Sequence, residues 1–202
     1  VTAAGGLVGE VVQVWKPKQL NTFETEWGFS CMGYEISGAL GIKMAKPDQD
    51  VVVFVGDGSY LLNNTDIYSS VIYDQKLIII VCDNGGHMVI NRLQLAKGGK
   101  EYICNLRAAR ATNLKFVDFE NHAKSMGANA ETVSSTSELE AAYKRAKDSD
   151  KTYVITIKTH GYEWLEGTAF WESPTLQDPI TDNNKSALED FESGKSKQRK
   201  GV

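Results

Sequence analysis

Two short polar runs carry the chemistry that the sequence offers: Gly56-Asp57-Gly58-Ser59 and Asp83-Asn84-Gly85-Gly86. Each follows an apolar run that reads as a buried strand, VVVFV at 51–55 and LIIIVC at 77–82. A carboxylate and an amide therefore emerge at the carboxyl ends of two neighbouring parallel strands, where open α/β sheets bind their ligands. A hard divalent cation that anchors a diphosphate needs this combination, because magnesium takes oxygen ligands and is held by one or two protein groups plus phosphates. Asp57 offers one carboxylate oxygen. Asn84 offers an amide oxygen and adds no negative charge beside a diphosphate. The Gly86 carbonyl is the third candidate, with Gly85 making the bend that aims it. Gly58 and Ser59 fall where a turn meets a helix start, so their N–H groups and the Ser59 hydroxyl can meet phosphate, and Gly56 permits backbone angles that side chains forbid. Either run alone also reads as ordinary turn chemistry; the pair, each after a buried strand, points to a metal–diphosphate site.

The elements that must position these groups follow from periodicity and punctuation. The sequence predicts a helix over Gly6–Trp15, a short strand over Phe23–Glu26, and a helix over Met32–Ala45 whose small residues Gly33, Ser37, Gly38 and Gly41 allow close approach to a sheet. After strand 51–55 it predicts a helix from about Leu62 to Tyr73, then strand 77–82. That strand–helix–strand unit suits a right-handed parallel crossover, and the continuously apolar strands imply helices on both faces. A long loop with one short helix (Met88–Leu93) follows. Next come a helix over Asp118–Met126, a strand over Asn129–Val133, a helix over Ser137–Lys147 capped by Ser137, and a strand over Tyr153–Lys158. The aromatic stretch Gly161–Trp171 is expected to pack on the domain. The predicted fold class is α/β, a doubly wound, mostly parallel sheet with helices on both faces. The predicted boundaries are one cofactor domain over 1–177 and a disordered polar tail over 178–202, ending in the basic residues Lys195, Lys197, Arg199 and Lys200.

Bulk properties narrow the class. The chain has 202 residues and is 42% hydrophobic, enough for a real core. Its formal net charge of -4 gives no general attraction to nucleic acid or anionic membrane. No apolar run reaches the length of a membrane span. Cys31, Cys82 and Cys104 lack metal or redox spacing and fit a cytoplasmic setting. The chain opens on Val1-Thr2-Ala3-Ala4-Gly5-Gly6, which reads as the end of a strand running into a glycine turn, as in a piece of a longer polypeptide.

The paired runs resemble those of thiamine-diphosphate-dependent enzymes, in their C-terminal diphosphate-binding domain. The segments Glu26-Trp27-Gly28-Phe29-Ser30-Cys31-Met32-Gly33-Tyr34-Glu35, Gly38-Ala39-Leu40-Gly41, Gly56-Asp57-Gly58-Ser59-Tyr60-Leu61 and Ile90-Asn91-Arg92-Leu93-Gln94 are similar, within that family, to the trihydroxycyclohexane-1,2-dione hydrolases of myo-inositol catabolism. The resemblance implies that Asp57, Asn84 and the Gly86 carbonyl hold Mg2+. It implies that Gly56, Gly58, Ser59 and the His87, Met88 and Val89 backbone serve thiamine diphosphate. Met32 would prop the thiamine in a bent shape, and the Ser30 carbonyl would accept from the aminopyrimidine amino group. The implied reaction is hydrolytic C–C cleavage of a cyclic 1,2-dione, a small-molecule substrate. Its implied partners are a pyrimidine-binding domain of the parent chain or of a partner subunit, in a homodimer or larger assembly, with a glutamate from that domain completing the site; the fragment alone is then expected to be inactive. The run Asn63-Asn64-Thr65-Asp66 is more polar than the resemblance implies for this helix start.

Other readings stay open. The chain could be the corresponding domain or subunit of a 2-oxo acid decarboxylase or acetohydroxyacid synthase-like enzyme. It could instead be a non-catalytic α/β interaction module that binds a metal or nucleotide. His87 lies in the cofactor loop and could face substrate or serve structure; His122 and His160 read as surface or helix-end residues. Cys31 has no visible base. Glu24 and Glu26 flank the cofactor segment as buried acids or as a strand edge, and Trp164, Phe170 and Trp171 pack on the domain or cover the substrate.

Overall fold

In the computed structural model, which describes residues 1–165 and 175–198, the apolar runs become the centre of a parallel sheet. Its strands are β1 (Val52–Gly56), β2 (Ile78–Asp83), β3 (Asn129–Val133) and β4 (Tyr153–Lys158), in the spatial order β1-β2-β4-β3. Every pairing is parallel, and β1 lies against β2 from Val52↔Ile78 to Gly56↔Cys82. That register puts both polar runs at one edge of the sheet. Beyond β1, the Phe54 N–H donates to the Val1 carbonyl at 2.9 Å, and Thr2 bridges Thr25 in parallel. The opening residues are thus extended, as predicted, whereas the strand expected over Phe23–Glu26 contracts to that one bridge.

Side-chain alternation divides the apolar residues between two faces. Val53, Val55, Ile79, Val81 and Val154 pack on one side with Ile36, Ala39, Tyr60, Ile67 and Phe119. On the other side Ile78 and Ile155 pack with Val133, Ala142 and Ala146. Helices therefore cover both faces, as a sheet of continuously apolar strands requires. The helices of this first unit (Val1–Gly86 and Lys115–Gly161) are α1 (Gly6–Val14), α2 (Tyr34–Ala45), α3 (Asp57–Leu62), α4 (Thr65–Ile72), α6 (Phe119–Ser125) and α7 (Thr136–Asp148).

Three boundaries differ from the sequence prediction for identifiable reasons. The helix expected over 62–73 begins at Asp57 and is broken after Leu62, where Asn63 turns extended (φ -150°) before α4 starts. The helix expected from Met32 begins at Tyr34, because Gly33 takes a left-handed conformation (φ 95°) at its N-cap. Ser135, rather than Ser137, caps α7: its side chain accepts from the Glu138 N–H, while the Glu138 carboxylate takes the Ser134 N–H at 2.7 Å. A serine run makes the capping register hard to choose, and the reach of Glu138 decides it.

The second unit (His87–Leu114 and Tyr162–Val202) contains α5 (Met88–Ala96), a 3-10 turn at Leu106–Ala108 and α8 (Asp182–Ser196). The tail expected to be disordered therefore holds a helix. The Thr181 side chain accepts from the Asn184 N–H to cap it, the Asn184 amide donates to the Lys97 carbonyl at 2.9 Å, and Ala187 is buried. Gly98 (φ 76°) lies so close to the Asn183 backbone that a Cβ there would sit 2.6 Å from it. With few apolar residues, such a segment gives no strong helical period, so its order comes from these tertiary contacts. Phe170, Trp171, Arg199 and Lys200 lie outside the described residues.

The cap assignment has a direct consequence for stability. Ser135→Ala should destabilise the chain by about 1 kcal/mol in urea unfolding, the usual worth of a serine N-cap. Ser137→Ala should change it by less than about 0.5 kcal/mol, as at ordinary surface positions.

Candidate functional site

The β1–β2 register ends with Gly56 opposite Cys82, so Asp57 and the Asp83-Asn84-Gly85-Gly86 run leave adjacent strands together. Asp57 is the first residue of α3 and is buried. Its Oδ2 accepts the Gly86 N–H at 2.7 Å, which ties the two runs across the sheet edge. Gly85 (φ 85°) and Gly86 (φ 139°) both lie in the region that side chains rarely adopt. A Cβ on Gly85 would meet nothing within 4 Å, so backbone conformation, rather than space, demands glycine there.

The Asn84 amide lies between the two runs. Its inward-facing atom is 3.3 Å from Asp57 Oδ1 and 2.8 Å from the Gly86 carbonyl oxygen. As nitrogen, that atom would donate to both; as oxygen, it makes a third acceptor facing two others. A cation is what three oxygens at such spacings would need between them. Adjacent ligands of an octahedral ion with bonds of about 2.1 Å are roughly 3 Å apart. Amide orientation follows from its partners: with the protein groups alone, nitrogen inward satisfies both acceptors. The donor set, one carboxylate and two neutral oxygens, fits a magnesium ion that completes its shell with phosphate and water.

The electrostatics of this edge are uneven. The neighbouring Asp83 carboxylate is buried, accepts the Gly85 N–H at 3.1 Å and pairs with Lys158 from the end of β4. Asp57 is held instead by neutral backbone N–H groups. Burial, and then the charge of Asp83, push its carboxyl up to about 6, against the opposing hydrogen bonds from Gly86 and Gly58. The Cys82 thiol is pushed up to about 12 by burial, with Glu10 and Asp57 adding to it, so it is inert near neutrality.

The loop before α2 is fastened by two glutamates. Glu26 Oε1 accepts the Phe29 N–H at 2.9 Å, and its Oε2 accepts the Cys31 N–H at 2.7 Å. These bonds hold the Glu26 carboxyl below the usual range, with Cys31 the larger contributor. Glu35, almost fully buried, accepts the Gly33 N–H at 2.9 Å and the Ala4 N–H at 3.3 Å. Ser30 stands between these anchors in a left-handed conformation (φ 50°), and Met32 remains 39% exposed, a large apolar side chain left outside the core. Desolvation and the Glu26 carboxylate push the Cys31 thiol up, which argues against a nucleophile there.

Of the residues singled out in the sequence, Asp57, Asn84 and Gly86 converge directly, with Gly56, Gly58 and buried Ser59 on the same strand-to-helix turn. His87, Met88 and Val89 belong to the second unit, where exposed His87 precedes α5 and its N–H is already taken by the Cys104 carbonyl at 2.8 Å. The first-turn N–H groups of Met88 and Val89 have no acceptor within the helix. His122 bonds the Tyr60 hydroxyl at 2.9 Å through Nδ1, and the Arg92 guanidinium sits 4.1 Å above the Trp164 ring; both contacts read as structural. Sequence reasoning missed Glu35, Asn63 and Lys158. Glu35 and Lys158 carry no local signal, because their partners are remote in sequence; the polarity of Asn63 was the one visible clue.

The Asp57 shift carries a sign. Its folded value, about 6, exceeds the ordinary 3.8, so the stability it contributes is complete below about pH 4 and is lost as pH rises through 6. In metal-free buffer, Asp57→Asn should gain stability relative to the parent chain between pH 4 and pH 7, read as the difference in Tm across that window. A constant difference would show that Asp57 is not desolvated.

Three comparisons with known proteins bear on this site. Residues 3–157 match the family described as thiamine pyrophosphate enzyme, C-terminal TPP binding domain. A 3D-(3,5/4)-trihydroxycyclohexane-1,2-dione hydrolase of Halalkalibacterium halodurans is 38% identical over 169 residues, covering 81% of this chain and 26% of that protein. The hydrolase of the same name from Lacticaseibacillus casei is 36% identical over 202 residues, covering 96% of this chain and 30% of that protein. Among solved structures, the thiamine diphosphate-dependent 4-hydroxybenzoylformate decarboxylase of Rhodococcus jostii RHA1 matches with a TM-score of 0.56 at 23% identity, covering 67% of this chain and 25% of that one; at this identity the likeness speaks for the fold alone. The chain thus spans between a quarter and a third of the length of the curated relatives it matches. With the strand-end site in place and most of its length matched, the chain belongs to the thiamine pyrophosphate enzymes, as their C-terminal TPP-binding domain.

Proposed function

We propose that this chain is the cofactor-binding part of a thiamine-diphosphate-dependent hydrolase that opens a cyclic 1,2-dione by C–C cleavage, in the degradation of inositol. One observation carries the reading: the Asp57 carboxylate, the Asn84 amide and the Gly86 carbonyl come together at the ends of two parallel strands, in a family defined by its cofactor. The names borne by relatives at 36–38% identity support the substrate class.

In this reading Asp57, the Asn84 amide oxygen and the Gly86 carbonyl would hold Mg2+, and Gly56, Gly58 and Ser59 would receive the diphosphate. Asp57 would serve as the carboxylate, where a cation's charge would offset the burial and the Asp83 charge that otherwise favour its protonated form. Met32 supports the thiamine from its strapped loop, while the Ser30 carbonyl fixes the aminopyrimidine. When bound, thiamine diphosphate supplies the electron sink for cleavage beside a carbonyl. Glu26 and Glu35 keep the loop shaped before the cofactor arrives, so little ordering remains on binding. The catalytic unit combines residues 1–177 with a pyrimidine-binding domain, from the same polypeptide or a partner subunit, in a cytoplasmic dimer or larger assembly. Among the described residues, no helix is long and apolar enough to cross a membrane.

Calorimetry tests the assignment. Asp57→Asn keeps an acceptor for the Gly86 N–H but removes the charge. It should weaken magnesium-dependent thiamine diphosphate binding by more than the roughly 10–100-fold typical of outer-shell changes. Unchanged binding would reject the metal site. The purified 202-residue chain should also show no turnover of trihydroxycyclohexane-1,2-dione, although it binds the cofactor; a measurable rate would show that these residues suffice for catalysis.

A further inference from the structure

The polar run after α3 bonds to residues that the metal site does not use. Asn63 follows the last residue of the helix that Asp57 begins. Its side-chain amide donates to the Gly33 carbonyl at 3.2 Å and to Ser37 Oγ at 2.8 Å. Ser37 Oγ in turn donates to Asp66 Oδ2 at 2.5 Å, in the first turn of α4. The chain of donors has one consistent direction, amide to hydroxyl to carboxylate, so each member fixes the next. Contact is tight as well: a Cβ on Gly33 would lie 2.8 Å from the Asn63 Cβ. Gly33 (φ 95°) directly follows Met32 and ends the loop that Glu26 and Glu35 fasten.

We infer that Asn63 is a positioning residue which sets the distance between the diphosphate anchor at Asp57 and the thiamine support at Met32. The inference rests on the functional reading above and deepens it. One end of α3 carries the metal carboxylate. The other end grips the turn behind Met32 through an amide that no apolar side chain could replace. The α3 helix thus acts as a short strut of six residues between the two ends of the cofactor. Without Asn63, the Gly33 carbonyl and the Ser37 hydroxyl lose a donor, and the Met32 loop keeps only its glutamate anchors. Diphosphate binding is untouched, because Asp57, Asn84 and Gly86 make no contact with Asn63 in this network.

The test compares two ligands on the same chain by calorimetry in magnesium buffer: thiamine diphosphate and inorganic diphosphate. Asn63→Ala should weaken thiamine diphosphate about tenfold, the usual scale for losing one or two hydrogen bonds, and leave inorganic diphosphate within about twofold. Ser37→Ala removes the middle of the chain while leaving the Asn63–Gly33 bond; it should produce the same split to a smaller degree, and it decides the question if Asn63→Ala does not fold. A merely structural role would weaken both ligands alike, and that result, or no change in either, overturns the inference. So would a parent chain that binds both ligands equally, since Met32 would then contribute nothing. A parent chain that binds neither removes the functional reading itself, and the inference with it.

Discussion

Everything at this site depends on the parallel register that ends with Gly56 opposite Cys82. Because side chains alternate along a strand, a slip of β1 by one residue against β2 would turn Val53 and Val55 out of the core they share with Ile79 and Val81. Core and site are therefore specified by the same pairing: the register that buries these side chains also brings Asp57 and Asn84 out side by side. No separate element is needed to align them. The cost is electrostatic, since the same geometry buries two carboxylates, Asp57 and Asp83, next to each other.

The molecule answers that cost in two ways. Asp83 receives Lys158 from the adjoining strand end, a pairing that the β2–β4 register, Asp83↔Lys158, makes unavoidable. Among the described residues Asp57 has no lysine and receives dipoles, the Gly58 and Gly86 N–H groups among them, and its carboxyl stays pushed up to about 6. Were both acids paired with lysines, the edge would be comfortable and indifferent to a cation. The asymmetry leaves Asp57 as the acid with most to gain from an added positive charge, while its neighbour already has a lysine.

The strands, the helices on both faces and the convergence of the Asp57 and Asn84 runs were legible in the sequence, because each rests on a local pattern: continuous apolar runs, glycines after them, and a crossover of suitable length. What escaped depends on partners far along the chain. Asn63 breaks a helix that periodicity would continue, because Gly33 and Ser37 offer it bonds elsewhere. Nothing in the sequence near Glu35 signals its partners, yet it is buried against the N–H groups of Ala4 and Gly33. The helix α8 gives little signal of its own and is ordered by Lys97, Gly98 and a threonine cap. Ser135 rather than Ser137 caps α7 because Glu138 reaches back to Ser134, a choice that spacing alone leaves open.

The identity of residue 84 follows from the same charge accounting. A second carboxylate at that position, 3.3 Å from Asp57 Oδ1, would raise the Asp57 carboxyl further, since two like charges at that separation cannot both ionise near neutrality. It would also face an incoming diphosphate with added negative charge. A lysine would satisfy Asp57 permanently and compete with any cation. An amide does neither: its nitrogen can donate to Asp57 and to the Gly86 carbonyl, and its oxygen is a neutral ligand of the kind a cation would take. With nitrogen inward, the buried Asp57 carboxylate and the Gly86 carbonyl both have a donor, and the sheet edge that holds them keeps its polar atoms satisfied.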